Sequence, residues 1–288
     1  MAFLVATGYP VLDLNDALVR LSSGDLPDGA TVITIDDGFY STWAMALPLL
    51  QELHLPCTLY LTTYYCLKEN PVFRLAVQYM FWKSSVLELE LAGLGIPETE
   101  WVRLDEQAER DKAAWTIIRY AESAMGEDER LALCEQLGER LGVNFDAIRR
   151  SRCLSLMTAA EVREAARLGV DVELHTHRHI LPESNDGVRR EIDDNQQVLE
   201  SLTGTSPKHF CYPSGDWREA HLAALSAVGV ASAVTCDAGF NRPHANLLRL
   251  SRFLDGSNIS SIVFEAEMSG FAELLRRMRA KFRRFSAA

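Results

Sequence analysis

Residues 30–38 read ATVITIDDG, a β-branched apolar run that stops abruptly at two adjacent carboxylates and a glycine. The run from Ala30 to Ile35 suits a buried strand, which would present Asp36 and Asp37 at its C-terminal end. Next, Ser41 to Leu53 carries apolar residues at helical spacing, and Pro56 to Thr62 (PCTLYLT) reads as a second buried strand. This β-loop-α-β unit is the grammar of a parallel sheet or barrel. The pattern returns with helices expected over 158–168, 188–202 and 218–228 and strands over 170–174, 209–212 and 231–235. Polar residues gather just past these strands, as in barrels whose sites lie at strand C-termini. From about residue 64 to 152 the grammar changes to helical periodicity over 67–82 and 106–150, broken only by Gly126, Gly138 and Gly142. That segment reads as a helical insertion into an α/β domain.

The 288 residues are 48% hydrophobic and 24% charged, an ordinary globular composition that argues against a disordered or disulfide-scaffold chain. A formal charge of −11 disfavours a nucleic-acid binder. The sequence opens MAFLVATGYPVLDLNDALV, without the early basic residues and unbroken apolar run of a signal peptide, and no stretch is long and apolar enough to span a bilayer. A cytoplasmic protein is the expectation. Six cysteines without any CxxC pair suggest reduced structural thiols.

Three segments carry chemistry: Thr34-Ile-Asp36-Asp37-Gly38, His175-Thr-His177-Arg-His179 and Tyr212-Pro213-Ser214-Gly215. Adjacent carboxylates at a strand end are costly to desolvate, so each requires a proton or a counter-charge. A divalent metal would partner one and leave the other free as a base, whereas a plain surface turn would need neither. Three histidines in five residues of a chain with seven favour the metal. In an extended segment all three would share a face; in a helical turn His175 and His179 would converge and His177 point away.

Together these segments resemble the polysaccharide deacetylases, carbohydrate esterase family 4, which share the homology domain of the rhizobial chitooligosaccharide deacetylase. The family's T-F-D-D-G motif is matched by Thr34 to Gly38 with Ile35 for Phe, and its H-S/T-x-x-H motif by His175-Thr176 and His179. The resemblance implies a distorted (β/α) barrel of the deacetylase type over residues 1–270, interrupted by the insertion and open where the family's usual first strand would lie. It implies Asp36 as catalytic base and Asp37, His175 and His179 as ligands of a divalent metal, zinc first, with cobalt, nickel or manganese as alternatives. It also selects the helical-turn pairing of histidines. The R-x-P-x-G motif survives only as Pro213 and Gly215, with Cys211 where Arg would stand. There the backbone at Ser214 would serve the oxyanion, with Tyr212, Pro213, Gly215 and Trp217 lining the substrate pocket. The last motif lacks its acid His: Leu250-Ser251-Arg252-Phe253 stands in its place, so Arg252 is expected to bind a substrate anion and His244 is the nearest candidate acid. The implied reaction is hydrolysis of an acetamide on an N-acetylated sugar, in a cell-surface polysaccharide or its lipid-linked precursor. A deformylase or other C–N amide hydrolase, and a silent metal-retaining carbohydrate binder, are the alternatives.

The resemblance covers neither the insertion nor residues 271–288. The insertion's Phe73, Tyr79, Met80, Phe81 and Trp82 suggest a pocket wall, a lid or a dimer contact. In the tail, six basic residues face one acid, Glu273, so residues 271–288 carry +5 and the rest −16. Phe271, Leu274, Leu275, Met278, Phe282 and Phe285 follow helical spacing with Arg and Lys on the other face. Such a helix either lies at the inner membrane surface or docks on its own acidic body.

Overall fold

The computed structural model describes residues 1–97 and 100–286, with side chains through 279. Its strands are β1 (Thr34–Asp37), β2 (Thr58–Leu61), β3 (Glu88–Glu90), β4 (Trp101–Arg103), β5 (Asp171–Leu174), β6 (His209–Cys211) and β7 (Ser232–Val234). The chain divides into two compact units.

The first unit comprises Met1–Gly38, Thr42–Tyr64 and Ala159–Ala288. Its sheet is parallel and five-stranded, in the order β1-β2-β5-β6-β7, a curled and open half-barrel. Each new strand joins the edge left by the one before, with helices Asn185–Thr203 and Glu219–Ala227 in the β5-β6 and β6-β7 crossovers. β2, β6 and β7 are buried along their whole length, and after one polar first residue each (Thr58, His209, Ser232) they are apolar. The expected helices and strands of this unit form within a few residues of their sequence positions.

β1 is the exception, displaced by several residues. Its ladder runs Thr34↔Thr58 to Asp37↔Leu61, so the two carboxylates are paired members of the strand and do not follow it. Thr31 instead exchanges hydrogen bonds with Pro10 and Leu12 (2.9 Å each). Because β1 has β2 as its ladder partner, the four residues of β2 set its length. Gly38 ends it with φ +81°, and a Cβ there would lie 2.1 Å from Leu61 Cδ1, so only glycine fits.

Glu173 lies buried within the sheet, where its Oε2 accepts the backbone N–H groups of Lys208 (2.7 Å) and His209 (2.6 Å). Burial pushes its carboxyl up to about 8; the backbone donors oppose this and the Asp171 charge adds to it. The unfolded carboxyl titrates near 4.5, so between these values the folded state holds the extra proton. Stability is therefore complete below about pH 4.5 and falls as pH rises to 8, by up to about 4 kcal/mol at ~1.4 kcal/mol per pH unit. Glu173→Gln, which mimics the protonated carboxyl, is expected to flatten that slope in urea titrations run from pH 5 to 8. An unchanged slope would mean that another group carries the proton.

The second unit comprises Phe39–Ser41 and Tyr65–Thr158. Helices Phe73–Lys83, Gln107–Ala124, Glu127–Leu141 and Phe145–Ser151 enclose a core that includes Ala76, Val77, Met80, Ile117, Ile118 and Leu137. The helix expected over 67–82 is split: its first residues end the short helix Tyr64–Lys68, and a second helix begins at Phe73, after Pro71, whose ring and missing N–H interrupt a helix. Gly126 and Gly142 separate helices, but Gly138 lies inside one, where a Cβ would meet the Val143 carbonyl at 2.7 Å. The antiparallel ribbon β3-β4 is not apparent from the sequence, since three-residue strands are too short to show alternation. Phe73, Met80 and Phe81 are buried in this unit's own core, which removes them as an exposed wall, lid or dimer contact; Trp82 alone of that group is fully exposed.

Candidate active site

The C-terminal ends of the parallel strands bring together residues 138 positions apart in the chain. Asp37 Oδ1 lies 3.1 Å from His175 Nε2 and 3.1 Å from His179 Nε2. The two imidazoles meet edge to face, with centroids 4.9 Å apart. His177 turns away: its Nδ1 lies 2.8 Å from Thr63 Oγ1 and its ring packs on Tyr64. The histidine loop thus pairs 175 with 179.

Backbone strain accompanies this arrangement. Asp37 (φ 67°), Thr176 (φ 61°), His179 (φ 57°) and Ser214 (φ 58°) all sit in the left-handed region, which non-glycine residues rarely occupy. Such strain persists only where neighbours over-determine the backbone. Helix Asn185–Thr203 supplies those neighbours. Asn195, fully buried, accepts the His175 N–H (2.9 Å) and donates to the Leu61 carbonyl and Thr63 Oγ1. One turn earlier, buried Glu191 accepts from the Arg178 N–H (2.8 Å) and pairs with its guanidinium, while its carbonyl accepts the His177 N–H. Sequence reading missed both residues. Their signal was there: Glu191 and Asn195 are polar residues i, i+4 on the face that also buries Val188, Ile192 and Leu199.

The donor set fits a divalent cation. His175 Nδ1 lies 2.8 Å from the Cys211 carbonyl, which can only accept, so Nδ1 holds the proton. In the neutral ring, Nε2 then presents a lone pair to a carboxylate oxygen 3.1 Å away, acceptor against acceptor. A cation between them, or a further proton, resolves the conflict. A tetrahedral ion with bonds of about 2.0–2.2 Å sets its ligands ~3.4 Å apart, close to the observed spacing. Burial raises the Asp37 carboxyl, but the hydrogen bonds and charges of His175 and His179 outweigh it and hold the group well below the usual carboxylate range. Asp36, His175 and Cys211 form a second close group. Both Asp36 oxygens are committed elsewhere, and burial pushes the Cys211 thiol far up, so Asp37, His175 and His179 are the better site.

Asp36 is gripped by Arg252, which the sequence suggests as a ligand for a substrate anion. Its Nη1 and Nη2 each donate to one Asp36 oxygen at 2.7 Å. Nη1 also reaches Thr34 Oγ1, Nε reaches the Thr235 carbonyl, and Nη2 lies 3.2 Å from Cys211 Sγ. With its side chain only 9% exposed, the guanidinium has no edge left for a substrate. Burial lowers its pKa, yet the Asp36 contacts more than compensate and hold it above the usual guanidinium value. Arg252 therefore fills the space beside Cys211, where the expected motif has its own arginine.

The third segment divides. Tyr212 is buried, with its hydroxyl donating to the Leu248 carbonyl (2.9 Å) and its ring against Phe210, so it does not line a substrate pocket. Pro213 is buried as well. A Cβ on Gly215 would meet Cys236 at 2.7 Å, so this glycine serves close packing. Ser214 is exposed on the turn, where the N–H groups of Tyr212, Gly215 and Asp216 are already committed to carbonyls. Trp217 is half-buried just after this turn, its indole N–H donating to Asp237 (3.2 Å) and its ring beneath the Arg249 guanidinium. His244 is exposed with φ 70°.

Comparison with known proteins bears on the family and the fold. The family model "Polysaccharide deacetylase" matches residues 136–233, which contain both paired histidines and the Tyr212–Gly215 turn; Asp36 and Asp37 lie outside it. No curated protein sequence matches the chain. Among solved structures, the Streptococcus pyogenes deacetylase PplD in complex with acetate superposes with a TM-score of 0.57 at 16% identity, covering 92% of this chain and 82% of that one. IcaB from Ammonifex degensii gives 0.55 at 16% identity, covering 92% and 84%. A de-N-acetylase from Aggregatibacter actinomycetemcomitans gives 0.54 at 12% identity, covering 92% and 86%. Sequence and fold thus agree: residues 136–233 match the polysaccharide deacetylase family, and the fold is the one these solved deacetylases share.

Proposed function

We propose that the chain is a metal-dependent N-deacetylase, hydrolysing the acetamide of an N-acetylated sugar in a cell-surface polysaccharide or its lipid-linked precursor. The observation that carries this reading is the Asp37 oxygen set 3.1 Å from two imidazole nitrogens, with a second carboxylate, Asp36, beside it. Asp37, His175 and His179 would hold a divalent cation, which would supply Lewis acidity toward the acyl oxygen and the attacking water; their nitrogen and oxygen atoms suit zinc, cobalt or nickel. Asp36 accepts the proton of that water as it adds to the carbonyl carbon. Arg252 holds both Asp36 oxygens and so fixes the direction from which the proton is taken. The Ser214 N–H serves the oxyanion, and Trp217 after the turn offers an aromatic face to a sugar ring. The C–N bond then breaks as the amine nitrogen takes up the proton that Asp36 accepted, which returns Asp36 to its carboxylate, and acetate leaves.

Amine release from N-acetylglucosamine oligomers, with metal content measured alongside, tests the reading. Dialysis against a chelator is expected to reduce release to background, and Zn²⁺ or Co²⁺ to restore it. His175→Ala is expected to lower metal occupancy and activity together. Full turnover in chelator-treated protein would overturn the metal-dependent reading.

A further inference from the structure

The last helix, Phe271–Ser286, is mounted with its apolar face outward. In the sequence, Phe271, Leu274, Leu275, Met278, Phe282 and Phe285 fall within an arc of about 100° at 3.6 residues per turn. A helix that packs on its own domain buries such an arc. Here Phe271 is 57% exposed, Leu274 54%, Leu275 37% and Met278 46%, while Glu273 and Arg276 on the opposite side are part-buried. That polar side is tied down. Arg276 bridges Glu267 (2.7 and 2.9 Å) and Glu273 (3.2 Å), and Arg277 also holds Glu273. Helix Ser261–Met268 contributes further exposed apolar side chains at Ile262 and Val263, while its Phe264 anchors the pair against Phe3 and Phe253.

Charge identifies what covers this face. Arg279 and Lys281 fall just outside the two edges of the apolar arc in the sequence, the helical positions at which basic residues border an interfacial helix. Residues 271–288 carry +5 against −16 for the rest, a polarity that turns this end, and not the body, toward an anionic surface. The last two residues of this expectation lie outside the described residues, as do the side chains from 280 on. No described helix is long and apolar enough to cross a membrane, so the contact is peripheral.

We infer that the outward face of the C-terminal helix is a docking surface for an anionic lipid bilayer. It adjoins the candidate active site through one loop. Asp237, which accepts from Trp217, stands two residues before Gly239, which faces Glu273, and three before Phe240, which packs on Gly270. A bilayer on the helix would thus lie beside the loop that holds Trp217. The surface is independent of the reaction proposed above, because vesicle binding requires neither metal nor turnover.

Flotation of the full chain with vesicles of mixed phosphatidylglycerol and phosphatidylcholine, and of phosphatidylcholine alone, tests the inference. Binding to the anionic vesicles that weakens as salt is raised is expected. The triple variant Leu274→Glu, Leu275→Glu, Met278→Glu is expected to lose about tenfold or more in partitioning, with its circular dichroism unchanged. Should that variant misfold, Arg279→Glu with Lys281→Glu is expected to abolish the preference for anionic vesicles. Wild-type protein that stays unbound, or variants that bind as well as wild type, would overturn the inference. So would a vesicle-indifferent dimer that the triple variant splits, which would assign the face to a second copy of the chain.

Discussion

Asp36→Asn is expected to lower kcat by about 10²- to 10⁴-fold, the usual worth of a positioned general base, while metal content stays at the wild-type level. The separation of the two effects follows from the geometry. Asp37 approaches His175 and His179, whereas both oxygens of Asp36 face the guanidinium of Arg252. Asparagine keeps the shape and one acceptor but cannot take a proton from water. Measuring bound metal by atomic emission beside kcat and KM separates the roles. Retained turnover would remove Asp36 as base, and lost metal would make it a ligand. The reciprocal substitution, Asp37→Asn, is expected to lose metal first.

Arg252→Ala is expected to cost stability and activity together. Removing one partner of a fully buried ion pair typically destabilises by about 3–5 kcal/mol, because the remaining charge is left without compensation; Arg252 is buried but Asp36 is part-exposed, so a smaller loss is expected here. Here that charge would be Asp36, close to the buried Cys211. Arg252→Lys should not rescue turnover, since an ammonium cannot span two carboxylate oxygens in one plane as the guanidinium does. A purely structural role would predict that Arg252→Lys, if folded, keeps kcat. A positioning role predicts a fall in kcat with little change in KM, and an effect much reduced in an Asp36→Asn background. The double-mutant cycle of these two residues checks this directly.

Much of the molecule is legible in the chain because the relevant physics is local. Buried parallel strands announce themselves as apolar stretches such as residues 59–61 and 210–212, and crossover helices by their 3.6-residue period. The helical character of the insertion follows in the same way, and its short β3-β4 ribbon does not. The Asp-Asp-Gly and His-rich segments are legible as a candidate metal site, because adjacent carboxylates require a proton or a counter-charge and neutral imidazoles offer lone pairs to a cation. What those segments do not show is support. Asn195 and Glu191, which hold the strained histidine loop, look in sequence like ordinary polar residues of a long charged helix. Only burial on the apolar face distinguishes them.

The sequence by itself determined the α/β class, the helical character of residues 106–150, and the charge split between body and tail, since each depends on composition and period over a few turns; it placed the first strand several residues too early. Tertiary structure decided which groups meet. It placed Arg252, not a residue of the 211–215 segment, on Asp36, because strand order in the half-barrel brings residues 216 apart in the chain within 2.7 Å. It withdrew Tyr212 into the core by giving its hydroxyl a carbonyl partner. It turned the apolar face of the C-terminal helix outward, because the ion pair of Arg276 with Glu267 binds the polar side to the neighbouring helix, while Glu273 pairs with Arg276 and Arg277 along the helix itself. A helical period shows that two faces differ; which of them meets the protein depends on partners far away in the chain.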